Sequence, residues 1–449
     1  GTDTNTFGIE KFVGDATQVN TLDGLLEFTV GSPDGVAAGG NAFFDVNLLE
    51  EEFILSPEDG TTFPVTTFEV VNFSNVRGTI NNDVIVGDLG ENVIFGSGGN
   101  DVLDGSLGED VLDYSEVNST INFGDFARIT VANPDDLTNT AIPEITVDSA
   151  LIIKDIGAGQ SSDGVTNFET IIGSSLQTST IDGSLNTPVN ISFDIDLSEE
   201  EDQLKVNLGS EVRTFTVENF TDVIGTFNSD TIIGDESANT FGGSTGDDLL
   251  DGGVDSAVDV VDYGTLNSAI ELGATGKVTK GVNGAFGEDT LINIDTIIGN
   301  AGFTNKINGA TEEPNNAFIN VNLTTNQLLV NFIDPFIPVP GGQLSFNVFE
   351  FTNVEGTDNS DTIVGNADNN LFTASGEFDI YDGEGGVDTV DYGAIGTAIT
   401  LGGSGLIVKE GLGQDTIFDI ETIIADASEI NTIDGQLNAS GNAAFDVDL

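Results

Sequence analysis

The side chains of this chain that could do chemistry are almost all carboxylates. Of its 449 residues, 76 are Asp or Glu and 10 are Lys or Arg, while Cys, His, Met and Trp are absent. Disulfides, thiolate or imidazole metal sites and His-based triads are therefore excluded. What remains is hard oxygen: Asp and Asn side chains and the carbonyls of Gly-rich backbone, a set that suits calcium, with magnesium as a weak competitor. The formal charge of −66 adds a requirement, because a body so anionic repels itself. The chain is expected to fold when its carboxylates are neutralised. Hydrophobic residues at 38% and aromatics at 8% are enough to fill a core, so the charge does not imply wholesale disorder. Ten scattered basic residues build no patch for phosphate, and no nucleic-acid partner is expected.

The spacing that would organise these oxygens is nine residues. Gly-Ser-Gly-Gly-Asn-Asp-Val-Leu-Asp at 96–104 joins a Gly-rich half that can turn with positive φ to a short half that can extend. Four such nonapeptides open at Gly78, Gly87, Gly96 and Gly105, and four more at Gly225, Gly234, Gly243 and Gly252, the last with two extra residues. A third set opens at Gly356 and Gly365, has Ala374 in place of Gly, and resumes at Gly383. The eighth position, Ile85, Ile94, Leu103 and Leu112 in the first set, points one apolar side chain inward per nonapeptide. Two turns and two strands close one coil.

These blocks sit in a longer repeat. The marker Ile9-Glu10-Lys11-Phe12-Val13-Gly14 recurs around Glu169, Asp295 and Glu421, in steps of 159, 126 and 126 residues. After each marker comes a turn-like segment and then an alternating strand, as in Phe44–Leu48, Phe193–Leu197, Ile319–Leu323 and Phe445–Leu449. The chain thus holds about three repeats and the start of a fourth. Its beginning at Gly1 and its end inside a repeat suggest a processed product or a window of a longer polypeptide.

The nonapeptides resemble the RTX, or hemolysin-type, calcium-binding repeats with their Gly-Gly-x-Gly-x-Asp-x-apolar-x pattern. The resemblance covers about 36 residues in each repeat. It implies an all-β fold, an elongated parallel β-roll or β-solenoid of tandem units with calcium-binding turns. Calcium would lie between the turns of successive coils, held by backbone carbonyls and the sixth residue of each nonapeptide. Those residues are Asp83, Asn92, Asp101 and Asp110, then Asp230, Asn239, Asp248 and, across the insertion, Asp259, then Asp361, Asn370, Asp379 and Asp388. Turns on one edge are two nonapeptides apart, which pairs Asp83 with Asp101, Asn92 with Asp110, Asp230 with Asp248, Asn239 with Asp259, Asp361 with Asp379 and Asn370 with Asp388. Each block then has one edge with two carboxylates and one with a carboxylate and an amide. Charge count predicts tighter calcium on the two-Asp edge.

The frame extends past the blocks. Residues 69–77 and 216–224 keep an inward Val76 and Val223 but have Ser74 and Thr221 at the sixth position, and so read as coils without metal. Residues 164–172 place Glu169 sixth and Ile171 eighth, making the marker itself a degenerate coil. Organised this way, 1–77 is a partial repeat, 78–114, 225–263 and 356–392 are calcium blocks, 115–224 and 264–355 are linking solenoid segments, and 393–449 links to the next repeat. A 126-residue repeat wound throughout would make about seven coils, roughly 34 Å long. Pro-containing loops at 133–143 and 333–342 are expected to leave the stack.

Tyr114, Tyr263 and Tyr392 close the blocks and are expected to pack on the last coil, not to form a binding surface. The acidic runs Glu50–Glu52 and Glu199–Asp202 read as solvated faces. No carboxylate pair departs from the repeat pattern as a glycosidase pair would, and the chain is not expected to be an enzyme. No signal segment and no transmembrane span is evident. The expected role is a secreted, calcium-stabilised structural protein at the cell surface or in the matrix, a surface-layer or filament subunit that self-assembles. A large adhesin's stalk and the carrier region of a toxin or exoenzyme are the alternatives. The resemblance further implies type I secretion in a Gram-negative bacterium, with the chain extended in low calcium and folding outside.

Overall fold

The computed structural model describes residues 11–24, 42–57, 65–126, 129–132, 144–147, 150–156, 159–185, 190–310, 317–333 and 342–437. The start of a fourth repeat at Phe445–Leu449, the loop 133–143 and most of the loop 333–342 lie outside the described residues. The chain divides into two compact units, residues 1–235 and 236–449. Among the described residues every regular element is a β-strand, apart from single 3-10 turns at Gly183–Leu185 and Val282–Gly284. No helix of the described residues is long and apolar enough to cross a membrane.

Consecutive nonapeptides alternate between two parallel ladders, which is the winding of a β-roll. In the first unit Val84 pairs with Val102 and Ile85 with Leu103 in one ladder, while Val93 pairs with Val111 and Ile94 with Leu112 in the other. In the second unit Thr362 pairs with Ile380 and Leu371 with Thr389. Each rung is three residues long with only its middle side chain buried, as in Val84–Val86 and Val93–Phe95. Ile85, Ile94, Leu103 and Leu112 form the core that the eighth position predicts. At about 1.5–3 kcal/mol for a buried aliphatic side chain, one per nonapeptide is a thin core. The turns must contribute the rest.

The degenerate coils are real rungs. Val76 and Val223 are fully buried in the strands Asn75–Arg77 and Asp222–Ile224. The marker strand Thr170–Ile172 pairs in parallel with Val111–Asp113, and Thr422–Ile424 does so with Thr389–Asp391. Thirteen strand-to-strand steps lead from Thr296–Ile298 to Thr422–Ile424. Because thirteen is odd, the two markers of the second unit fall in opposite ladders.

The linking segments differ from a uniformly wound solenoid. Each contains three-stranded antiparallel meanders that replace rungs, such as Ala42–Asn47, Glu52–Pro57 and Thr66–Val71. Two antiparallel steps restore the original direction. Thr66–Val71 therefore runs parallel to Lys11–Val13, and Ala42–Asn47 runs parallel to Val84–Val86. Further meanders are Ile121–Gly124 with Ala150–Ile156 and Gly159–Thr166, and Ile270–Gly273 with Lys277–Lys280 and Glu288–Ile292. Another is Ile399–Gly402 with Leu406–Lys409 and Gly413–Phe418. The first three alternating segments noted in the sequence are first strands of meanders. Their acidic runs are exposed hairpin tips, with Glu51 and Asp202 at φ 59° where the third copy has Asn326 at 57°. The first repeat is longer (159 residues against 126) mainly because an extra hairpin, Ile129–Ala132 with Glu144–Val147, lies between the first two strands of a meander.

Candidate metal centres at the turn edges

The sixth residue of a nonapeptide stands where the turn meets the strand, and in all three blocks it is buried. Asp83, Asn92, Asp101, Asp110, Asp230, Asn239, Asp248, Asp259, Asp361, Asn370, Asp379 and Asp388 are each no more than 3% exposed. Each reaches toward a neighbouring coil. Asp83 donates its backbone N–H to Asp101 Oδ1 (2.9 Å), Asn92 to Asp110 (2.7 Å), Asn239 to Asp259 (2.9 Å), Asp361 to Asp379 (3.0 Å) and Asn370 to Asp388 (2.7 Å). Five of the six expected partners therefore meet directly. The sixth pair is divided between units, Asp230 in the first and Asp248 in the second. Asp230 Oδ1 accepts the N–H of Phe193 at 2.7 Å.

The rows continue into the linking segments. Asp110 donates its N–H to Glu169 Oε2 (2.7 Å), Asp259 to Asp295 (3.0 Å) and Asp388 to Glu421 (2.8 Å), so the acidic residue of the marker closes one edge of every block. The other edge ends differently. There Asp101 donates to Asp163 Oδ1 (2.9 Å), Asp248 to Asp289 (3.1 Å) and Asp379 to Asp415 (3.0 Å).

Burial without enough countercharge raises these acids. It pushes Asp83 and Asp110 up to about 6 and Asp361 up to about 7. Asp101 is pushed to about 8, by burial first and then by the charge of Asp163. A cation relieves such desolvated carboxylates.

The two edges differ in how far that relief is built in. On the two-Asp edge the buried Lys154 touches Asp101 (3.2 Å) and Asp163, Lys280 touches Asp248 (3.0 Å) and Asp289, and Lys409 touches Asp379 (3.1 Å) and Asp415 (2.6 Å). Tyr114, Tyr263 and Tyr392 are fully buried and donate their hydroxyls to Asp163, Asp289 and Asp415. They pack on the last coil as expected. On the Asn/Asp edge of the first block the charges acting on Asp110 are Glu169, Asp88 and Asp104, all negative.

The second edge also holds buried carboxylate oxygens without partners. Asp110 Oδ2 and Asp388 Oδ2 are buried without a hydrogen-bond partner, an arrangement native interiors rarely tolerate. Oxygens also converge on the glycines that open each turn. The point where a Cβ on Gly87 would stand is 2.3 Å from both Asn92 Oδ1 and the Gly105 carbonyl oxygen. At Gly105 that point is 2.0 Å from the Asn167 carbonyl and 2.8 Å from Asp110 Oδ2, and at Gly383 it is 2.1 Å from the Asp419 carbonyl and 2.5 Å from Asp388 Oδ2. Among the described residues no three carboxylates gather to hold an ion unaided, so carbonyls must complete the ligand set. The donors fit calcium: Asp110, Asn92 and the carbonyls of Gly105 and Asn167 would hold it in the first block. Asp388, Asn370 and the carbonyls of Gly383 and Asp419 would hold it in the third.

The family model described as the RTX calcium-binding nonapeptide repeat (4 copies) matches residues 77–112, 224–256 and 355–390. The chain carries RTX calcium-binding nonapeptide repeats. No curated protein matches it in sequence. The RTX matches fall on three-residue parallel rungs and cover the sixth-position residues of all three blocks except Asp259.

The lysines and the acids Asp163, Asp289 and Asp415 were not evident from the RTX pattern. A faint signal exists. Lys280 and Lys409 each follow the block-closing tyrosine by 17 residues, and Asp163 and Asp289 each follow their lysine by nine.

Two expected results follow for the RTX turns. Asp110→Asn and Asp388→Asn should each weaken calcium binding by at least the roughly 10- to 100-fold seen when outer-shell groups are lost. Calorimetric titration checks this, and unchanged isotherms in both would refute the assignment. Gly105→Ala puts a methyl against the Asn167 carbonyl, a backbone atom that cannot swing aside. It should cost about 1–3 kcal/mol and abolish the first block's ion, whereas wild-type melting in calcium would contradict the cradle.

Proposed function

We propose that the chain is a calcium-stabilised structural protein of the cell surface or extracellular matrix, a surface-layer or filament subunit without catalytic activity. The reading rests on one observation, the recurrence of an oxygen-lined edge with an orphaned, buried carboxylate oxygen at Asp110 and again at Asp388. A site repeated with the coil serves the coil, whereas a catalytic site interrupts its repeat. Bound there, calcium supplies positive charge and bridges successive turns. Asp110 and Asp388 present the carboxylate, and the short turn glycines let the carbonyls approach. Calcium at extracellular levels would complete the fold after export, placing the protein outside the cell.

Electron microscopy of chelator-stripped protein dialysed into calcium tests the assembly claim. Ordered sheets or filaments that dissolve on chelation are expected. A chain that folds with calcium but stays monomeric at every concentration would overturn it.

A further inference from the structure

Lys154, Lys280 and Lys409 are fully buried in a chain with only ten basic residues. Each lies in the middle strand of a meander, Ala150–Ile156, Lys277–Lys280 or Leu406–Lys409. Each ammonium donates to a turn carbonyl: Ser97, Ser244 and Ser375, all at 2.8 Å. Each also meets the sixth-position carboxylate of the same nonapeptide, Asp101, Asp248 or Asp379, and one further acid from the meander's last strand, Asp163, Asp289 or Asp415. A turn carbonyl and a sixth-position carboxylate are the two ligand kinds that the RTX pattern offers to calcium. The three N–H bonds of an ammonium are thereby matched to three acceptors at Lys154 and Lys280, while Lys409 also reaches the Gly376 carbonyl at 3.3 Å.

We infer that these lysines are built-in replacements for calcium, so that the two-Asp edge of each block is closed by a covalently tethered cation and takes no ion. Calcium is confined to the Asn/Asp edges. The order of affinity expected from counting carboxylates is thereby reversed, because the edge richer in charge already holds a cation. The meander is the delivery device. Its middle strand runs against the roll, which lets a side chain from outside the nonapeptide frame enter the turn stack. The inference rests on calcium being the ion of the oxygen-lined edges and not on any surface-layer or filament role.

Equilibrium dialysis of the full chain at pH 7.5 tests it through the number of bound calcium ions. Lys154→Met, Lys280→Met and Lys409→Met keep the side-chain length and remove the charge. Each is expected to bind one calcium ion more than wild type and to need more calcium to fold. Equal ion counts in wild type and the folded triple variant would overturn the inference. Terbium-soaked crystals of the wild type give a readout that does not depend on a variant folding. Terbium is expected beside Asp110 and Asp388 and absent from the lysine clusters, and an ion held by Asp101 and Asp163 would overturn the assignment. Wild type that binds no calcium at all would sink the calcium reading itself, whereas calcium at both kinds of edge sinks only the role of the lysines.

Discussion

Stripped of divalent ions at pH 8, the chain is expected to lose its β-sheet circular dichroism, and to regain most of it on acidification to about pH 5 without any calcium. The cause is the rows of buried acids. Burial raises Asp83, Asp110 and Asp415 to about 6, Asp289 and Asp361 to about 7 and Asp101 to about 8, from an ordinary 3.8. An acid whose folded value lies above its unfolded value favours folding when protonated. Its contribution is fully present below 3.8 and is lost as pH rises through the folded value. For these groups the loss spans about pH 4 to 8. Protons thus substitute for calcium at the low end of that window, and pH 5 still lies above the isoelectric point of 4.1. Saturating calcium should remove the part of the dependence that Asp110 contributes and leave that of the five acids on the lysine edges. Equal signals at pH 5 and pH 8 in excess chelator would mean that the buried acids are not what calcium relieves. On the lysine edge of the first block one ammonium faces the row of Asp83, Asp101 and Asp163, so protons act there on charge the lysine leaves uncompensated, and because each coil contains both edges, opening one opens the coil.

Asp163→Ala is expected to destabilise the first block by about 3–5 kcal/mol even in saturating calcium, the cost of removing one partner from a buried ion pair. One carboxylate there accepts from the Lys154 ammonium, the Tyr114 hydroxyl and the Asp101 backbone N–H. Truncation leaves all three donors short of an acceptor in a site without water access. Asp163→Asn keeps an acceptor oxygen and should lose less. Repeat arrays do not unfold in two states, so the measurement is local: hydrogen exchange at the Asp101 amide should accelerate by a factor of a hundred or more. Protection equal to wild type would show that the cluster contributes nothing to the stability of the roll.

What could be read from the sequence follows the range of the rule involved. Nine-residue spacing of Gly and Asp is a local rule, so the turns, the inward Ile85 and Ile94, and partners 18 residues apart such as Asn92 and Asp110 were all evident. The marker too could be read as a coil, because Glu169 and Ile171 keep the sixth and eighth places. The meanders were not legible. Alternation in Phe44–Leu48 marks a strand but not its partner, and the antiparallel step to Glu52–Pro57 is decided by hairpin tips that vary from Glu to Asn. The lysine clusters were furthest out of reach, since Lys154 and Asp101 are 53 residues apart and the nonapeptide frame assigns Lys154 no position. A count of charges along the chain therefore favours the two-Asp edge for calcium, whereas the inference from the lysines favours the other. Only the fold brings the ammonium to the two-Asp edge.

Small-angle scattering of the chelator-stripped chain at pH 7.5, titrated with calcium, tests the central claim most directly. The account predicts a radius of gyration near that of an unfolded chain of this length, about 80 Å, falling in step with ion uptake. It also predicts that Asp110→Asn combined with Asp388→Asn shifts the fall to higher calcium. A stripped chain already as compact as the calcium-loaded one would contradict it.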